Sequence, residues 1–276
     1  MMNPYCYKDG KIVRLSKIHI AANDLGVLRG YGVFDFLRTF NGKPFMLEEH
    51  LARFIHSAKG MGLKVPVSKS KLKQISHELV RRNKFRETAI KFVLTGGPSE
   101  DGVTILHEPT FYVLATPILL PPQERYTKGV HLRTHEYMRL LPELKTLNYV
   151  VSVQKQRELA RSGVLELLYV YNGAILECSS SNIFLVKNNV LVAPRNDILE
   201  GTTKALVVKL AKGKYKVEER KVFVRELKTA DEVFITASNK AVMPVVKIDS
   251  YKIRDGNVGP VSQHLQQLYK KKVGIT

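Results

Sequence analysis

The sequence predicts an α+β protein of two compact units. Runs that alternate with the two-residue period of β-strands occur beside runs with the helical spacing of apolar residues. Three prolines fall within Pro117–Pro122, which disfavours a regular element there. The chain has 276 residues, enough for two hydrophobic cores. We therefore expect a small domain at 1–117, a linker at 118–124 and a larger domain at 125–276.

Two hairpins open the first domain. Asp9-Gly10 supplies the positive φ of a tight turn between Tyr5–Tyr7 and Lys11–Val13. Val33–Phe40 alternates, and Asn41-Gly42 then turns the chain back. The alternation puts four side chains on one face, Phe34, Phe36, Arg38 and Phe40, and four on the other, Val33, Asp35, Leu37 and Thr39.

Two helices and two strands complete this domain. Leu47–Leu63 carries an apolar stripe at helical spacing. A basic helix follows from Ser68 to about Arg82, with the Ser68 hydroxyl as its N-cap. The apolar runs Ala89–Leu94 and Thr110–Leu114 predict strands.

In the larger domain the sequence predicts five strands and two helices. The strands are Val130–Arg133, Leu165–Val170, Asn182–Lys187, Val190–Ala193 and Glu232–Ile235, and the helices are Val150–Arg161 and Lys204–Leu210. Gly201-Thr202-Thr203 opens the second helix. Helix N-termini offer unpaired amides that attract phosphate, although the same residues serve equally well as a plain N-cap. Thr236–Asn239 likewise offers hydroxyls at a strand end.

The formal net charge is +19. Since a strongly basic surface binds phosphates, a nucleic-acid-binding protein is one hypothesis. The basic residues, however, are spread along the chain without an interleaved stacking motif, so no nucleic-acid partner is expected. The denser patches at Lys69–Arg86 and Lys270–Lys272 are interpreted as solvated helix faces and a fraying tail. A positive field also favours an anionic cofactor and anionic substrates.

Cysteine usage indicates the compartment. Cys6 and Cys178 have no metal-site spacing, and no apolar run follows a basic start at the N-terminus. We therefore expect a reducing, cytoplasmic location without a metal site. No stretch approaches the roughly 20 apolar residues needed to cross a bilayer, so no membrane partner is expected.

Lys145 and Glu177 are the candidate chemical groups. Leucines flank Lys145, and desolvation there would lower the pKa of its amine and make it nucleophilic enough to form a Schiff base. Glu177 ends the run Ala174–Leu176 and precedes Ser179–Asn182, so we expect its carboxylate among hydroxyl and amide donors at a strand turn. A lysine with a buried acid suggests pyridoxal phosphate chemistry, in which the acid keeps the pyridine nitrogen protonated.

The segments around these two residues resemble the class IV, or fold-type IV, pyridoxal-phosphate aminotransferases. That family includes D-amino-acid and branched-chain aminotransferases and aminodeoxychorismate lyase. Further matching stretches occur in the family's order, at Arg29–Asp35, His50–Phe54, Leu199–Thr203 and Phe234–Ser238. The resemblance implies pyridoxal 5'-phosphate as cofactor, a barrel-like β core in the larger domain, and a homodimer whose Gly96–Gly102 loop reaches towards the partner's active site.

The resemblance also implies a role for each matching residue. Lys145 is the catalytic residue that holds the cofactor as a Schiff base, and Glu177 binds its pyridine nitrogen. The other expected cofactor contacts are Arg53, Thr202, Thr203 and Ser238 at the phosphate, Leu199 against the ring and Tyr149 at the phenolic oxygen. The reaction implied moves an amino group between an amino acid and a 2-oxo acid. The alternative is the lyase, which eliminates pyruvate; a basic nucleic-acid-binding protein is a distant third.

Departures from the family's pattern concern the substrate. The branched-chain type has Tyr-Gly-Thr where this chain has Arg29-Gly30-Tyr31, and it spaces its lysine one residue further from the Asn-Tyr pair. The bacillar D-amino-acid type holds the substrate carboxylate with an Arg-x-His pair near 98–108, where this chain has no arginine. Other residues must therefore meet the substrate. The candidates are Arg29, Phe34, Arg38, Lys91 and Lys240.

Overall fold

The computed structural model describes residues 2–105 and 107–275 and divides the chain into two compact units. The first unit comprises the chain up to Leu119 together with Leu144–Asn148, and the second comprises Leu120–Glu143 and the chain from Tyr149 onward. The segment that carries Lys145 thus belongs to the first unit, not to the predicted domain at 125–276. The reason is hydrogen bonding: Phe34 N donates to Lys145 O at 3.0 Å, and Leu147 N donates to Gly32 O at 2.9 Å.

The first unit is an antiparallel sheet with three helices. Its elements are β1 (Tyr5–Lys8), β2 (Lys11–Arg14), a 3-10 turn (Leu15–Lys17), α1 (Leu25–Arg29), β3 (Gly32–Phe40), β4 (Lys43–Pro44), α2 (Leu47–Gly60), α3 (Lys69–Asn83), β5 (Thr88–Thr95) and β6 (Phe111–Pro117). The six strands lie in the order β2-β1-β6-β5-β3-β4. The predicted elements of this unit are confirmed, including the Ser68 N-cap, whose hydroxyl accepts from Lys71 N at 3.1 Å.

The core of the first unit lies between one sheet face and the two long helices. Apolar residues of α2 and α3 pack against the core-facing set of β3 and β5, among them Leu51, Phe54, Leu72, Leu79, Val33, Leu37, Ile90 and Phe92. The predicted alternation in β3 is therefore correct along its first half. Phe34 and Phe36, on the opposite face, remain half-buried, and their neighbour Lys91 in β5 is exposed.

The second unit contains ten strands and four helices in its described residues. Its elements are α4 (Glu124–Thr127), β7 (Val130–Glu136), α5 (Val150–Arg161), β8 (Glu166–Tyr171), β9 (Ala174–Cys178), β10 (Asn182–Lys187), β11 (Val190–Ala193), α6 (Thr202–Ala211), β12 (Lys216–Glu219), β13 (Val222–Phe223), a 3-10 helix (Val224–Thr229), β14 (Glu232–Ala237), β15 (Ala241–Ile248), β16 (Tyr251–Lys252) and α7 (Pro260–Val273). The strand order is β12-β11-β10-β14-β15-β7-β8-β9-β13, with β16 beside β15.

This sheet curls into the expected barrel-like core. Strands β9 and β10 lie five places apart in the strand order, yet only Ser179–Ser181 separates them along the chain. Cys178 N donates to Ser181 O at 2.8 Å, which closes a tight turn between the two strands. A flat sheet cannot satisfy both facts, so the sheet bends back on itself. Its interior is filled by apolar side chains from most of the strands.

A β-bulge interrupts the pairing of β8 with β9. Leu168 pairs with Cys178, and Val170 pairs with Ile175, so Tyr169 alone opposes the two residues Leu176 and Glu177. Ile175 and Cys178 consequently both point into the barrel core. Leu176 instead packs with Tyr169 in a separate cluster on the other face.

The C-terminal lysines correct one expectation. Lys270–Lys272 form the last turn of α7, not a fraying tail. Burial of Leu265, Tyr269 and Val273 anchors this helix, and Gly274 ends it in the left-handed conformation. Over the described ranges, no helix is long and apolar enough to span a bilayer, and no group of three or more His, Cys, Asp or Glu side chains could hold a metal ion.

Candidate active site

Lys145 is fixed in the first unit from two sides. Its backbone N–H donates to Ser57 Oγ of α2 at 3.0 Å, and its carbonyl accepts from Phe34 N of β3. Leu144, immediately before it, packs closely on α2: a Cβ on Gly60 would lie 2.7 Å from Leu144 Cδ2, so a larger residue there would have to displace the Leu144 side chain. These contacts hold the half-buried Lys145 with its Nζ 4.6 Å from the centroid of the Phe34 ring.

Lys91 shares that ring with Lys145. Its Nζ lies 5.7 Å from the Phe34 centroid, and Lys91 pairs with Phe36 in the antiparallel register of β3 and β5. Strand alternation thus brings two predicted substrate residues, Phe34 and Lys91, to the predicted catalytic lysine. The face carries an aromatic surface with two amines, a combination suited to an anionic, partly apolar ligand.

The other two cations of this unit have local contacts. Arg29 ends α1, is exposed, and donates from Nη1 to Leu28 O at 3.1 Å. Arg38 is buried, with its guanidinium carbon 4.1 Å from the centroid of the Phe40 ring and its Nε donating to Thr39 O at 3.2 Å. Their roles in substrate binding stay predictions.

Arg53 takes part in a buried ion pair that the sequence did not predict. Arg53 donates to both oxygens of Asp35, Nε to Oδ2 at 2.8 Å and Nη2 to Oδ1 at 2.9 Å. His50 Nδ1 lies 2.7 Å from Asp35 Oδ1. Burial of Asp35 raises its pKa, but the charge of Arg53 and the bond to His50 outweigh it, so the pKa lies well below its usual range. Burial lowers the pKa of His50, and the charges of Arg53 and Lys145 lower it further. The bond to Asp35 and its charge raise this pKa, but the net shift is downward.

This geometry holds the Arg53 guanidinium in one orientation. A bidentate carboxylate fixes the plane of an arginine side chain, and the ion pair is stabilising only because both groups are well hydrogen-bonded. One feature of the sequence could have revealed it: Asp35 stands on the core-facing side of a strand, where an unpaired carboxylate is not tolerated.

Glu177, in the second unit, binds Arg139. Arg139 Nε donates to Glu177 Oε1 at 2.7 Å, and Leu199 N donates to Glu177 Oε2 at 3.2 Å. A second nitrogen of Arg139, Nη2, donates to Pro142 O. Arg139 therefore ties Glu177 to the segment that leads to residue 144. Nothing in the sequence marked Arg139, because it lies in an irregular stretch between elements.

The expectation that serine hydroxyls surround Glu177 is wrong. The hydroxyls of Ser179, Ser180 and Ser181 all donate to Glu166 in β8. The bulge explains the difference, since it places Glu177 on the face of Tyr169 while Glu166 shares the inner face of β8 with Leu168. Lys240, predicted to bind substrate, is buried and lies 3.4 Å from Glu166 Oε1.

The N-terminus of α6 has the form expected of a phosphate site. Gly201 precedes the helix without a side-chain cap, and a Cβ there would overlap Oδ1 of Asn182, whose Nδ2 donates to Leu199 O at 2.8 Å. Thr202 and Thr203 are buried in the first turn. Because the Asn182 amide occupies the space that a Cβ would need, the helix start lies close against the sheet.

A buried hydroxyl adds to this site. Thr236 pairs with Asn182 across β14 and β10, and among the described residues its Oγ1 finds no hydrogen-bond partner. A buried hydroxyl without a partner costs about 1–3 kcal/mol, which a bound ligand's oxygens would remove. Ser238 follows two residues later, half-buried in the turn after β14. The sequence pointed to the hydroxyls of Thr236–Asn239 and to the donors of Ser179–Asn182, but it did not predict that Asn182 bonds to Leu199 and lies against Gly201.

Tyrosines line the face of Glu177. Tyr149 is half-buried at the N-cap position of α5. Tyr169 packs edge-on against Tyr137, with ring centroids 5.0 Å apart. Burial raises the pKa of Tyr169, and its neighbours Tyr137 and Tyr149 raise it further, so its hydroxyl stays protonated. Leu199 is buried beside this face, one hydrogen bond from Glu177.

The comparisons with known proteins agree on one family. The family model described as "Amino-transferase class IV" matches residues 32–248. A Methanocaldococcus jannaschii protein named "Putative branched-chain-amino-acid aminotransferase" is 34% identical over 272 residues, which cover 96% of this chain and 94% of that protein. D-alanine aminotransferase of Staphylococcus aureus (strain N315) is 31% identical over 283 residues, 97% of each chain.

A solved structure extends the agreement to the fold. The T.th. branched-chain amino acid aminotransferase with pyridoxamine 5'-phosphate is similar with a TM-score of 0.91 and 28% identity, over 99% of this chain and 95% of that one. The two-domain α+β fold predicted from the motifs is thereby confirmed. The chain belongs to the class IV aminotransferases, the fold-type IV transferases that use pyridoxal 5'-phosphate.

Proposed function

We propose that this aminotransferase acts through Lys145, which holds the cofactor's aldehyde carbon covalently. The placement of Lys145 carries the proposal: its main chain is hydrogen-bonded on both sides, and its amine lies over an aromatic ring. A nucleophile works best when it is held close to its working position, and the main-chain bonds fix the point from which the Lys145 side chain extends.

The second unit supplies a donor set that fits the cofactor's other groups. Glu177 offers a buried carboxylate for a protonated ring nitrogen, and Arg139 fixes its orientation. Thr202, Thr203 and Ser238 offer hydroxyls and helix amides for the phosphate, and Arg53 of the first unit offers a guanidinium already oriented by Asp35. Leu199 supplies the apolar contact for the ring, and Tyr149 the donor for its phenolic oxygen.

The mechanism divides the work between cofactor and protein. Bound pyridoxal phosphate supplies the electron sink that makes the α-proton of the amino acid acidic. With the cofactor bound, Lys145 would be the residue that holds it covalently and, once the substrate's nitrogen takes that bond, the free amine that moves the α-proton. Glu177 keeps the proton on the ring nitrogen throughout. A 2-oxo acid would leave with the substrate's carbon skeleton and an oxygen taken from water, and a second 2-oxo acid would receive the amino group and release that water.

The substrate is an amino acid of the D-alanine or the branched-chain class, the two activities named among the relatives. We propose that Lys91 and Arg29 hold its carboxylate, because a carboxylate in a partly dry site needs a cation or strong donors. Phe34 offers the apolar surface between Lys91 and Lys145. Arg38 is the next candidate for binding the substrate carboxylate.

Two experiments test these assignments. Borohydride reduction of the holoenzyme should attach the cofactor to Lys145, and Lys145→Ala should abolish turnover; labelling at another lysine would refute the assignment.

The second experiment identifies the substrate. Both enantiomers of alanine, glutamate and leucine should be assayed with 2-oxoglutarate or pyruvate. A 2-oxo acid product with a matched gain of amino acid is expected, whereas pyruvate released by elimination from aminodeoxychorismate would indicate the lyase.

We further propose a homodimer. Val27 and Leu28 on α1 are exposed, as are Val103 and Ile105 in the loop between β5 and β6. The Leu28 side chain and Nη2 of Arg29 each lie 3.5 Å from the position of a Cβ on Gly102, so α1 and this loop are neighbours, and we propose that the four apolar residues form one surface, the α1–loop patch. A contiguous exposed apolar patch in a globular protein usually marks an interface. Two-fold pairing of identical patches is the commonest way to cover one.

The compartment and the charge complete the proposal. Both cysteines, Cys6 and Cys178, are buried free thiols, which fits a reducing, cytoplasmic setting. Part of the basic surface is paired, for example Lys69 and Lys73 with Glu48. We propose that the remaining positive field favours the anionic cofactor and substrates over nucleic acid. A preparation that copurifies with nucleic acid and without cofactor absorbance would contradict this.

A further inference from the structure

A second buried carboxylate lies in the second unit, apart from Glu177. Glu166 accepts from Ser181 Oγ at 2.7 Å, from Ser180 N at 2.8 Å, from Ser180 Oγ at 3.0 Å and from Ser179 Oγ at 3.3 Å. Lys240 Nζ lies 3.4 Å from Glu166 Oε1 and donates to Ser180 Oγ at 2.8 Å. Glu166 is 3% exposed and Lys240 is 7% exposed. We call these five residues the Glu166 cluster.

The Glu166 cluster is fully bonded, which is the condition for burying an ion pair. Burial raises the pKa of Glu166, but the Lys240 charge and the serine donors outweigh it, so the pKa lies below its usual value. Such a pair gives little net stability compared with apolar residues of the same size. The pair also constrains the geometry of the turn, because three serine hydroxyls and the N–H of Ser180 all donate to the same carboxylate of β8.

Three chain segments with proposed cofactor contacts converge on this cluster. Its serine turn begins two residues after Glu177 and ends at Asn182, whose amide bonds to Leu199 O and whose oxygen lies against Gly201. Lys240 stands two residues after Ser238, in the turn that joins β14 to β15, where its N–H donates to Ala237 O at 3.1 Å. The cluster thus links the serine turn directly to the Ser238 turn, and through Asn182 to the start of α6.

We propose that Glu166 and Lys240 are positioning residues for the cofactor. Their ion pair fixes the relative places of the segments at 177–182, 199–203 and 238–240, so that the ring-nitrogen and phosphate contacts are held at once. Lys240 is accordingly assigned to support and not to the substrate, since its amine is already occupied by Glu166 and Ser180. This inference rests on the proposed function, which gives those segments their ligand.

Substitutions that change charge with little change of volume test the pair. Glu166→Gln leaves Lys240 buried without a counter-charge and gives the serines an amide that accepts at one oxygen only. Lys240→Met leaves Glu166 with its serine donors alone. Each should raise the dissociation constant for pyridoxal phosphate about ten- to a hundredfold, as loss of a supporting residue does around metal sites. Lys240→Arg, which keeps the charge, should recover most of the affinity.

If a single variant folds poorly, the double variant still separates a loss of stability from a loss of cofactor binding. Glu166→Gln with Lys240→Met removes both buried charges, so no unpaired charge remains. Its thermal stability should lie nearer the parent than that of either single variant. Its cofactor affinity should stay low, and its cofactor absorbance maximum should be shifted, because the segments are no longer linked by charge.

Glu232→Gln is the matched control. Glu232 is also a buried carboxylate of this unit, but it stands at the far end of β14 and accepts from Val261 N and Ser262 N of α7, each at 2.8 Å. This variant should lose thermal stability while its affinity for pyridoxal phosphate stays within about twofold of the parent.

The measurement is a titration of each apoenzyme with pyridoxal phosphate, read by absorbance and fluorescence beside a thermal melt. If Glu166→Gln and Lys240→Met bind as tightly as the parent, or lose no more affinity than Glu232→Gln, the positioning role is refuted and the cluster is only structural. A parent that does not bind pyridoxal phosphate would overturn the proposed function and this inference together. If the parent binds pyridoxal phosphate and the variants bind it equally well, only the positioning role is overturned.

Discussion

At the scale of single residues, Glu177 and Arg139 form a buried ion pair, and we propose that its carboxylate binds the cofactor's ring nitrogen. An amide cannot hold a protonated ring nitrogen as a carboxylate does, so Glu177→Gln should retain cofactor and lose most activity. Arg139→Leu should leave a carboxylate that is still charged but less well oriented. We expect roughly a ten- to hundredfold loss in kcat for Arg139→Leu, a smaller loss than for Glu177→Gln.

Single-turnover spectra distinguish the two effects. The Glu177 variant should bind cofactor and show slow conversion at saturating substrate, while the Arg139 variant should show intermediate rates. If Glu177→Gln is as active as the parent, the proposal that Glu177 binds the cofactor's ring nitrogen is refuted.

Lys91 and Arg29 provide the second prediction at this scale. Losing a charge-assisted contact to the substrate carboxylate costs about 1.5–3 kcal/mol, or roughly ten- to a hundredfold in kcat/KM. Lys91→Met and Arg29→Leu should show this loss with an amino acid, while cofactor spectra stay normal. The corresponding decarboxylated amine is the control substrate, because it lacks the group that these cations bind.

The outcome for the amine decides the assignment. If both variants process the amino acid as fast as the parent, or lose the amine equally, the carboxylate is held elsewhere and Arg38 becomes the better candidate. Since Lys240 is engaged with Glu166, it is no longer a candidate for this role.

His50 gives a pH prediction. Its folded pKa is lowered, so between that value and the unfolded pKa of about 6.5 the unfolded chain binds more protons than the folded one. Its contribution to stability is therefore complete above about pH 6.5 and falls as the pH drops, by at most about 1.4 kcal/mol per pH unit. Urea unfolding between pH 5 and 7.5 should show this slope in the parent and a shallower one in His50→Gln. Identical slopes would exclude His50 as the cause.

At the scale of elements, the start of α6 depends on Gly201. A Cβ at this position overlaps Asn182 Oδ1, so Gly201→Ala must displace Asn182 and break its bond to Leu199 O. Overpacking of this kind costs about 1–3 kcal/mol. We expect a lower melting temperature and weaker binding of pyridoxal phosphate. Adding Asn182→Ala should make room for the Cβ at position 201, so the double variant should be more stable than the sum of the two single losses predicts. If the losses of stability are strictly additive, the clash is not their cause.

The elements were largely predictable from the sequence, and the contacts between side chains were not. Asp9-Gly10, Asn41-Gly42 and the alternation of Val33–Phe40 have short-range causes, so the strands they imply are found. Strand β15, in contrast, was not predicted, because Pro244 interrupts its apolar run even though turns at 238–240 and 249–250 flank it. The partners of Asp35 and Glu166 lie in other elements, and only the folded register brings them together.

The site residues likewise divide into those marked by short sequence motifs and those known only from contacts in the fold. Lys145 and Glu177 could be proposed from the sequence because the motifs around them are short and contiguous. Their supports, Ser57 and Arg139, lie 88 and 38 residues away along the chain and carry no motif of their own. The assignment of the serine hydroxyls to Glu177 failed because a bulge changes which side of β9 faces the turn, and the sequence has no marker for that bulge.

At the scale of the whole molecule, the α1–loop patch predicts the oligomeric state. Val103→Asp places a charge in this apolar surface and should shift sedimentation from dimer towards monomer. Leu119→Asp is the matched control, since Leu119 is 88% exposed outside the patch and the same change there should leave the dimer intact. An active parent monomer, or a Val103→Asp dimer as stable as the parent's, would rule out this interface.

The bulge in β9 has a consequence for how the strand tolerates changes in length. Along a regular strand, odd and even positions face opposite sides, so any one-residue insertion or deletion exchanges every later side chain. Here Leu176 and Glu177 already share one side, so deletion of Leu176 would leave a regular strand in which Glu177 keeps its side and Cys178 stays in the core. The carboxylate that we propose for the cofactor's ring nitrogen would thus keep its side of the strand after the loss of the residue just before it.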